Sequence, residues 1–278
     1  MTSPTPFVDL RFARRLEHAE ASGGVAFVEA RSALEPERGA TWINRHGAYA
    51  MFDGGGSPVT QTFGLGLDGA VTSEDLDALE AFFHGRQADI NHEVSPLAGA
   101  GLFSTLSSRG YSPVELTSVM YRTLEGAPGI AAPINQPLHV RQISIDESEM
   151  FGITAARGWS ELAELHSFLE GFGRVMATRA NSPCFVAELD GRPIATAVLV
   201  VANGVAVLAG ASTIPEYRRQ GAQLALLDAR LRFAASEGCQ LAMMGAAPGS
   251  ASQRNAERHG FRIAYTRVKW CKRFTGLP

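Results

Sequence analysis

The chain has 278 residues, of which 45% are hydrophobic and 19% charged, and its formal net charge is −3. This profile is typical of a globular protein that is large enough for one large or two medium domains. The small acidic excess gives no electrostatic support to general nucleic-acid binding. No apolar run approaches the roughly 20 residues of a membrane span, and no signal peptide is recognisable, so we expect neither a nucleic-acid nor a membrane partner.

Cysteine and histidine positions argue against a disulfide framework and against a metal site. Cys184, Cys239 and Cys271 are scattered and form no CxxC pair. We interpret them as small core residues of a protein in a reducing cytoplasm. His84 and His92 lack the spacing of a helical metal pair, so we predict no metal.

The first half of the chain contains elements separated by Gly and Pro. We predict a Gly-rich turn at Gly66–Gly69, a helix ending near Gly85, a strand at Asp89–Val94, a small-residue helix after Pro96, and a strand at Val114–Leu124 that follows Gly110-Tyr111.

The segment Gly64–Gly69 reads GLGLDG and matches the GxGxxG pattern of dinucleotide sites, with Asp89 about twenty residues further on. Its surroundings argue against that function. Thr72 and Asp75 have the spacing of a capping box, and acidic residues crowd the turn, where they would repel a pyrophosphate. We interpret the segment as a structural turn. A dinucleotide-dependent oxidoreductase that uses this turn remains an alternative function.

A segment rich in Pro, Gly and Ala, GAPGIAAPINQP at 126–137, fits no periodic element and predicts a linker. It separates a first domain at 1–125 from a second at 138–278. Glycine landmarks recur in the two halves about 150 residues apart, at 69 and 221, 85 and 238, and 110 and 260. This regularity indicates a duplication, and chance alignment of common glycines is the alternative.

The second half has a clear sequence of elements. We predict strands at Leu138–Ile143, Cys184–Leu189, Ile194–Val201, Val205–Ala211 and Gln240–Met244, and helices near Ser148–Arg157, at Glu161–Val175, from Ala222, and at Ser252–His259. Asp190-Gly191 and Asn203-Gly204 are strong hairpin signals. This order predicts an α+β fold with a mixed, mostly antiparallel sheet flanked by helices.

The turn before the helix from Ala222 has the chemistry of an anion site. It reads PEYRRQGAQL at 215–224, and Gly221 allows the backbone to approach a ligand closely. No acidic residue occurs in the helix before Asp228, and Arg218 and Arg219 add positive charge. Free helical amides beside two guanidinium groups favour a pyrophosphate, whereas two solvated arginines at a helix start are the alternative.

The residues Arg218–Gln223, RRQGAQ, resemble the (Q/R)xxGx(G/A) signature of the GNAT acyltransferase superfamily, and Pro215–Arg218 is similar to its PEYR lead-in. Gly260-Phe261 and the preceding helix resemble the closing segment of that family. The resemblance covers roughly 138–272. It implies two tandem GNAT-like domains, of which the first is a degenerate and non-catalytic copy.

The resemblance also implies an activity. A cytoplasmic N-acetyltransferase of this kind transfers the acetyl or acyl group of acetyl-CoA to the amine of a small molecule by direct attack, without a metal. A CoA-binding sensor or regulatory module without catalysis is the second alternative. The sequence allows a homodimer without requiring one, and it does not identify the amine.

Carried over position by position, the resemblance implies a set of cofactor-binding residues. The backbone of Ala211, Ser212 and Thr213 would pair with the pantetheine arm, Asn255 would contact that arm, and the pyrophosphate would lie against Arg218, Arg219, Gln220, Gly221, Ala222, Gln223 and Leu224. Two positions depart from the family pattern. Gln223 replaces a small residue, and Ala256 stands where many members carry a tyrosine that protonates the leaving thiolate.

The catalytic residues are less well defined. Ser212, or a backbone N–H beside it, would polarise the thioester carbonyl. The segment Val205–Thr213 contains no titratable residue, so the general base must come from elsewhere or be a chain of waters. Glu188 and Tyr265 are our catalytic candidates, with Asp190 and His259 nearby in the sequence.

Overall fold

The computed structural model describes residues 6–125, 138–159 and 163–276. Within these ranges, the α-helices are α1 (Leu10–Leu34), α2 (Ser73–His84), α3 (Ala100–Ser108), α4 (Ser148–Trp159), α5 (His166–Thr178), α6 (Ala222–Ser236) and α7 (Ala251–Arg258). The strands are β1 (Thr41–Arg45), β2 (Ala48–Phe52), β3 (Gln61–Phe63), β4 (Ile90–Val94), β5 (Ser112–Thr123), β6 (Leu138–Gln142), β7 (Cys184–Leu189), β8 (Arg192–Ala202), β9 (Val205–Thr213), β10 (Leu241–Ala246) and β11 (Arg262–Lys272).

The described chain forms two compact units. Unit A consists of residues 122–125, 138–159 and 163–244, and unit B of residues 6–121 and 245–276. These units differ from the sequence halves 1–125 and 138–278, because the segment 245–276 is part of unit B. The reason is strand pairing: β11 lies between β4 and β5 and is antiparallel to both. The predicted linker at 126–137 lies outside the described residues.

Unit A contains a mixed sheet with the strand order β10-β9-β8-β7-β6. β10 and β9 are parallel, and the other neighbours are antiparallel. Residues 194–200 of β8 are all buried, which shows that this strand is covered on both faces. Helices α4 and α6 pack against β8 and β9.

Two hairpins of unit A follow directly from the sequence. Asp190 and Gly191 have φ angles of 49° and 74°, and Asn203 and Gly204 have φ angles of 51° and 70°. Two successive residues with positive φ are the requirement of a type I′ turn, which Asn-Gly and Asp-Gly satisfy at low cost. Both predicted hairpins are confirmed.

The strands of unit B pair in the order β1-β2-β3-β4-β11-β5, with both parallel and antiparallel neighbours. Their side chains alternate between two cores, as the period of a strand requires. In β2, Ala48, Ala50 and Phe52 belong to a core with α2 and α3, whereas Met51 packs in a core with α1. The predicted fold class, α+β with mixed and mostly antiparallel sheets flanked by helices, is therefore confirmed.

Both units repeat one local order: two antiparallel strands, a helix, and a strand parallel to the second of them. In unit B this is β2, β3, α2 and β4, and in unit A it is β8, β9, α6 and β10. No helix among the described residues is long and apolar enough to cross a bilayer.

Candidate functional site

The last residues of β9 are redirected by a β-bulge. Ala209 pairs with Val198 and Ser212 pairs with Thr196, so that two residues of β9 lie opposite one residue of β8. One of the two is Gly210, with a φ of 57°. A Cβ there would lie 2.6 Å from the Cε atom of Met176, so the strand and α5 approach too closely for a side chain. The bulge turns the end of β9 away from the regular ladder.

β9 and β10 separate before either strand ends. Among the described residues, their ladder runs only from Val205–Leu241 to Val207–Met243, although both strands continue. The N–H of Ile214 donates to the carbonyl of Ile194 on β8 at 3.0 Å. Because alternate residues of a strand face opposite neighbours, the backbone groups of Thr213 point away from β8. The end of β9 therefore presents a free strand edge on the side of the gap.

The segment between β9 and α6 contains two left-handed residues. A 3₁₀ turn at Pro215–Tyr217 follows the strand, and then Arg219 has a φ of 65° and Gly221 a φ of 88°. Among the described atoms, only Leu138 Cδ1 lies within 4 Å of a Cβ placed on Gly221, at 3.8 Å. The backbone here is thus open to an approaching group, and left-handed residues in such turns aim successive N–H groups at one point.

The N-terminus of α6 has the electrostatic character of an anion site. No side chain among the described residues caps it, and its first turn has no acidic residue. The first intrahelical donor is the N–H of Ala225, which bonds to the carbonyl of Gly221 at 3.0 Å. The amides of Ala222, Gln223 and Leu224 therefore have no partner inside the helix, and the helix dipole adds a positive potential.

The side chain of Gln223 turns back toward β9. Its Nε2 donates to the carbonyl oxygen of Ser212 at 2.7 Å and to Thr213 Oγ1 at 2.8 Å. Arg218 makes a longer contact with the same strand, from Nε to the Thr213 carbonyl at 3.4 Å. Both contacts connect the turn to the end of the bulged strand.

The hydroxyl of Ser212 is enclosed by the protein. Its side chain is buried, and Oγ lies 2.9 Å from Thr196 Oγ1, so that one of these hydroxyls donates to the other. On α4, a Cβ at Gly158 would lie 2.5 Å from Ser212 Oγ. The hydroxyl of Ser212 is therefore not presented at the strand edge, where the backbone of Thr213 lies.

Glu188 is held in a cluster of charges on β6 and β7. Arg141 donates to Glu188 from Nε at 3.0 Å, and it also binds Glu147 through two nitrogens. These hydrogen bonds lower the pKa of Glu147 to about 2 and raise that of Arg141. Nδ1 of His139 lies 3.6 Å from the second oxygen of Glu188. The role of Glu188 as a base remains a prediction, and the structure gives it ion-pair partners.

Tyr265 and Asn255 belong to unit B. The Tyr265 hydroxyl donates to Glu17 at 2.9 Å, and burial raises the pKa of Tyr265 well above its usual value. Burial also raises the pKa of Glu17 to about 7, although Arg267 opposes this shift. Asn255 is exposed on α7. The predicted roles of Tyr265 in catalysis and of Asn255 in cofactor binding involve a ligand at the α6 turn, which belongs to unit A. These roles remain predictions.

The GLGLDG turn of unit B, unlike the turn before α6, is capped by side chains, is paired with charged residues and is filled by protein. Thr72 and Asp75 form the capping box that the sequence predicts at the start of α2. Arg14 donates to the carbonyl of Leu67 and pairs with Asp68. A Cβ at Gly66 would lie 2.9 Å from Leu102, so the concave side of the turn is filled by protein. This arrangement disfavours a dinucleotide.

Arg230 is a buried charge that the sequence analysis did not single out. It donates to the carbonyls of Val198 at 3.1 Å and Ala209 at 3.5 Å, next to the bulge, and burial lowers its pKa to about 10. The sequence contained a signal for its burial: Arg230 lies three and four residues after Leu227 and Leu226, a spacing that places it on the apolar face of α6.

The described residues contain no group of three or more His, Cys, Asp or Glu side chains that could hold a metal ion. His92 is buried, with Nε2 3.2 Å from the hydroxyl of Tyr111.

Comparison with known proteins finds a family match for part of the chain and structures of similar fold. Residues 148–261 match the model of the acetyltransferase (GNAT) family. A GCN5-related N-acetyltransferase from Kribbella flavida is similar in structure, with a TM-score of 0.67, 18% identity, and coverage of 95% of this chain and 96% of that one. The matched segment includes the motif at 218–223, as the resemblance of that motif to the GNAT superfamily predicts.

Two further structures share the fold. A GCN5-related N-acetyltransferase from Sphaerobacter thermophilus has a TM-score of 0.58 and 17% identity, covering 84% of this chain and 76% of that one. A tandem GNAT protein from the clavulanic acid biosynthesis pathway has a TM-score of 0.56 and 15% identity, covering 83% and 79%. No curated protein sequence matches this chain.

Proposed function

We propose that the protein is an N-acetyltransferase that transfers the acetyl group of acetyl-CoA to the amine of a small molecule. The observation that carries the proposal is the N-terminus of α6, which no described side chain caps, which is free of acidic residues in its first turn, and which follows left-handed Arg219 and Gly221. A diphosphate would satisfy its free amides, and a phosphate at a helix N-terminus is a recurrent arrangement in proteins.

The end of β9 provides the second part of the site. Acetyl-CoA supplies an acetyl group activated as a thioester, and its extended pantetheine arm can pair with a free strand edge. The edge beyond Val207 has this character, because β10 separates from it. The backbone N–H of Thr213, which points away from β8, would then donate to the thioester oxygen as negative charge develops there.

The reaction needs little from ionisable side chains. The neutral amine attacks the carbonyl carbon, the carbon–sulfur bond breaks, and the proton lost by nitrogen passes to solvent while the thiolate takes up another. Segment 205–213 has no titratable residue, and Arg141 already binds Glu188. We therefore assign the base role to water, which suffices for an amine that is partly neutral at the working pH.

A CoA-binding module without catalysis is the alternative. One observation favours it: the position where many relatives carry a tyrosine acid is Ala256, which is buried. The cellular location belongs to the proposal as well. All three cysteines are buried and form no disulfide with one another, which suits the reducing cytoplasm.

Two measurements on the purified protein test the proposal. Calorimetry with CoA and with NAD compares the two ligands, and we expect binding of CoA only. Incubation with acetyl-CoA and a panel of small amines, followed by detection of free thiol, tests for turnover. Amine-dependent thiol release rules out the non-catalytic module, and binding of NAD without CoA would reject the proposed function.

A charge reversal locates the site. Arg219→Glu places a carboxylate beside the α6 amides, and we expect it to weaken CoA binding at least tenfold. Arg192→Glu is the matched control, because Arg192 is an exposed arginine of the same unit at the start of β8. Equal affinities of the two variants would separate CoA binding from this turn.

A further inference from the structure

We propose that Gln223 is a positioning residue that fixes the end of β9 against the first turn of α6. The inference rests on the proposed function and extends it to a position where this chain departs from its relatives, which keep a small residue there. The observation is a pair of short hydrogen bonds from one amide nitrogen, to the Ser212 carbonyl at 2.7 Å and to Thr213 Oγ1 at 2.8 Å.

The two bonds use both hydrogens of the side-chain amide. An NH₂ group carries two donors, and here two oxygens of consecutive residues lie within 3 Å of it. Ser212 is in turn bonded through its hydroxyl to Thr196. A continuous series of hydrogen bonds therefore runs from α6, through the end of β9, to the interior strand β8.

This connection joins the two ends of the turn between β9 and α6 directly. The backbone between Thr213 and Gly221 includes two left-handed residues, and no described side chain caps the helix that follows. A second contact from this segment back to β9 is that of Arg218, at 3.4 Å. The hydrogen bonds of Gln223 are shorter than that of Arg218, and the side chain of Gln223 is less exposed.

The position matters because the proposed site has two parts. The α6 amides would hold the diphosphate, and the strand edge would hold the thioester, so the distance between helix and strand must match one ligand. Misplacement of a reacting group by about 1 Å can lower a rate a hundredfold. A residue that sets this distance affects the acyl end of the ligand more than the nucleotide end.

The chemistry of the side chain limits the substitutions that preserve this role. Alanine has no donor, asparagine is shorter by one methylene, and an ionised glutamate has only acceptors to offer to two oxygen atoms. We expect Gln223→Ala, Gln223→Asn and Gln223→Glu all to lose the connection. Arg232→Ala is the control on the same helix, because Arg232 is exposed and pairs with Asp228 one turn away.

Calorimetry with two probes tests the inference. 3′-Phospho-ADP reports on the α6 turn, and acetyl-CoA reports on the whole site. We expect Gln223→Ala to bind 3′-phospho-ADP within twofold of the wild type and acetyl-CoA five- to tenfold more weakly, with a similar fall in kcat. Arg232→Ala should change neither. An equal loss for both probes, or no loss for either, would overturn the inference.

Amide hydrogen exchange of the free protein separates this inference from the proposed function. Gln223→Ala should raise exchange at residues 211–213 and 222–224 at least fivefold, and Arg232→Ala should not. If the wild type binds neither probe, the proposed function fails, while faster exchange in Gln223→Ala still supports the structural role of the residue. Unchanged exchange in Gln223→Ala would reject that role whatever the ligand.

Discussion

Arg219 adopts a backbone conformation that is costly for residues other than glycine, asparagine and aspartate. A left-handed conformation costs an L-residue about 1–2 kcal/mol, and Arg219, with its φ of 65°, is exposed and has no buried packing to compensate for it. Strained residues of this kind cluster at ligand sites. The arginine is thus better explained by its charge beside the α6 amides than by the stability of the fold.

Two substitutions at Arg219 separate strain from charge. Arg219→Ala keeps the strain and removes the charge, whereas Arg219→Gly removes both. We expect the glycine variant to be more stable than the alanine variant by about 1 kcal/mol, and both to bind CoA several-fold more weakly than the wild type. Thermal unfolding and calorimetry measure the two effects. A glycine variant less stable than the alanine variant would contradict the assigned strain.

His92 links the stability of unit B to pH. Burial lowers its pKa to about 4, and Nδ1 has no hydrogen-bond partner among the described residues. The unfolded chain therefore binds a proton at this residue near pH 6.5, whereas the folded chain does not. The stability due to neutral His92 is complete above about pH 6.5 and is lost as the pH falls toward 4.

We expect His92→Gln to reduce this dependence. The difference in unfolding free energy between the wild type and the variant should shrink by about 3 kcal/mol from pH 7 to pH 4. Chemical denaturation at several pH values gives the curve, and Tyr111→Phe serves as a control that removes the hydrogen bond but keeps the buried imidazole. A pH-independent difference would show that His92 has the same pKa in the folded and unfolded states.

At the scale of elements, the two helices that follow glycine turns, α2 and α6, differ in the capping of their N-termini. α2 is closed by the Thr72–Asp75 capping box, whereas no described side chain caps α6. A cap contributes about 1 kcal/mol. The absence of a described cap at α6 leaves free donors at the place where the GNAT motif lies.

Thr72→Ala tests this contrast. Loss of the cap should lower the stability of the protein by about 1 kcal/mol, because the Asp75 amide loses its acceptor, and it should leave CoA affinity unchanged. Thermal unfolding and calorimetry on the same sample measure both. A clear loss of CoA binding would connect the α2 turn to the ligand.

The bulge in β9 allows a further prediction. Gly210→Ala adds a methyl group 2.6 Å from Met176 Cε at a left-handed position, and we expect a loss of about 1–3 kcal/mol in stability. Met176→Leu added to this variant should recover the steric part only. Acetyl-CoA binding should remain weak in the double variant, because the end of β9 stays displaced. Full recovery of stability would show that the left-handed conformation costs nothing.

Local patterns predicted most elements, and the reasons are visible in particular residues. β7 begins and ends at Cys184 and Leu189 as expected, because turn residues bound it on both sides. α5 begins at His166, after a 3₁₀ turn at Ala163–Leu165, and the predicted start of this helix at Glu161 lies outside the described residues. The bulge at Gly210 and the reach of Gln223 depend on neighbours distant in sequence, and no periodicity encodes them.

At the scale of the whole molecule, the position of β11 could not be read from its own sequence. The domain boundaries predicted from the sequence, 1–125 and 138–278, placed this segment in the second half. In the structure, Trp270 pairs with His92 on one side and Pro113 on the other, both in unit B. Non-local pairing of this kind is specified by complementary faces rather than by any single segment.

A truncation tests whether the compact units or the sequence halves describe how the chain is divided. Removal of residues 245–278 takes away β11 and leaves β4 and β5 without their common neighbour. We expect amide protection to be lost in β4 and in residues 112–121 of β5, and to be retained in β7 and β8. Hydrogen exchange monitored by mass spectrometry distinguishes the two regions. Loss confined to residues 138–244 would favour the sequence halves.

The position of β11 between β4 and β5 also affects folding during synthesis. The strand order of unit B places β11 between β4 and β5, although β11 is synthesised long after both of them. At about 5–20 residues per second, β4 and β5 wait on the order of ten seconds for this strand. Meanwhile their exposed edges can pair with other nascent chains, so the newly made protein should depend on chaperones more than its size suggests.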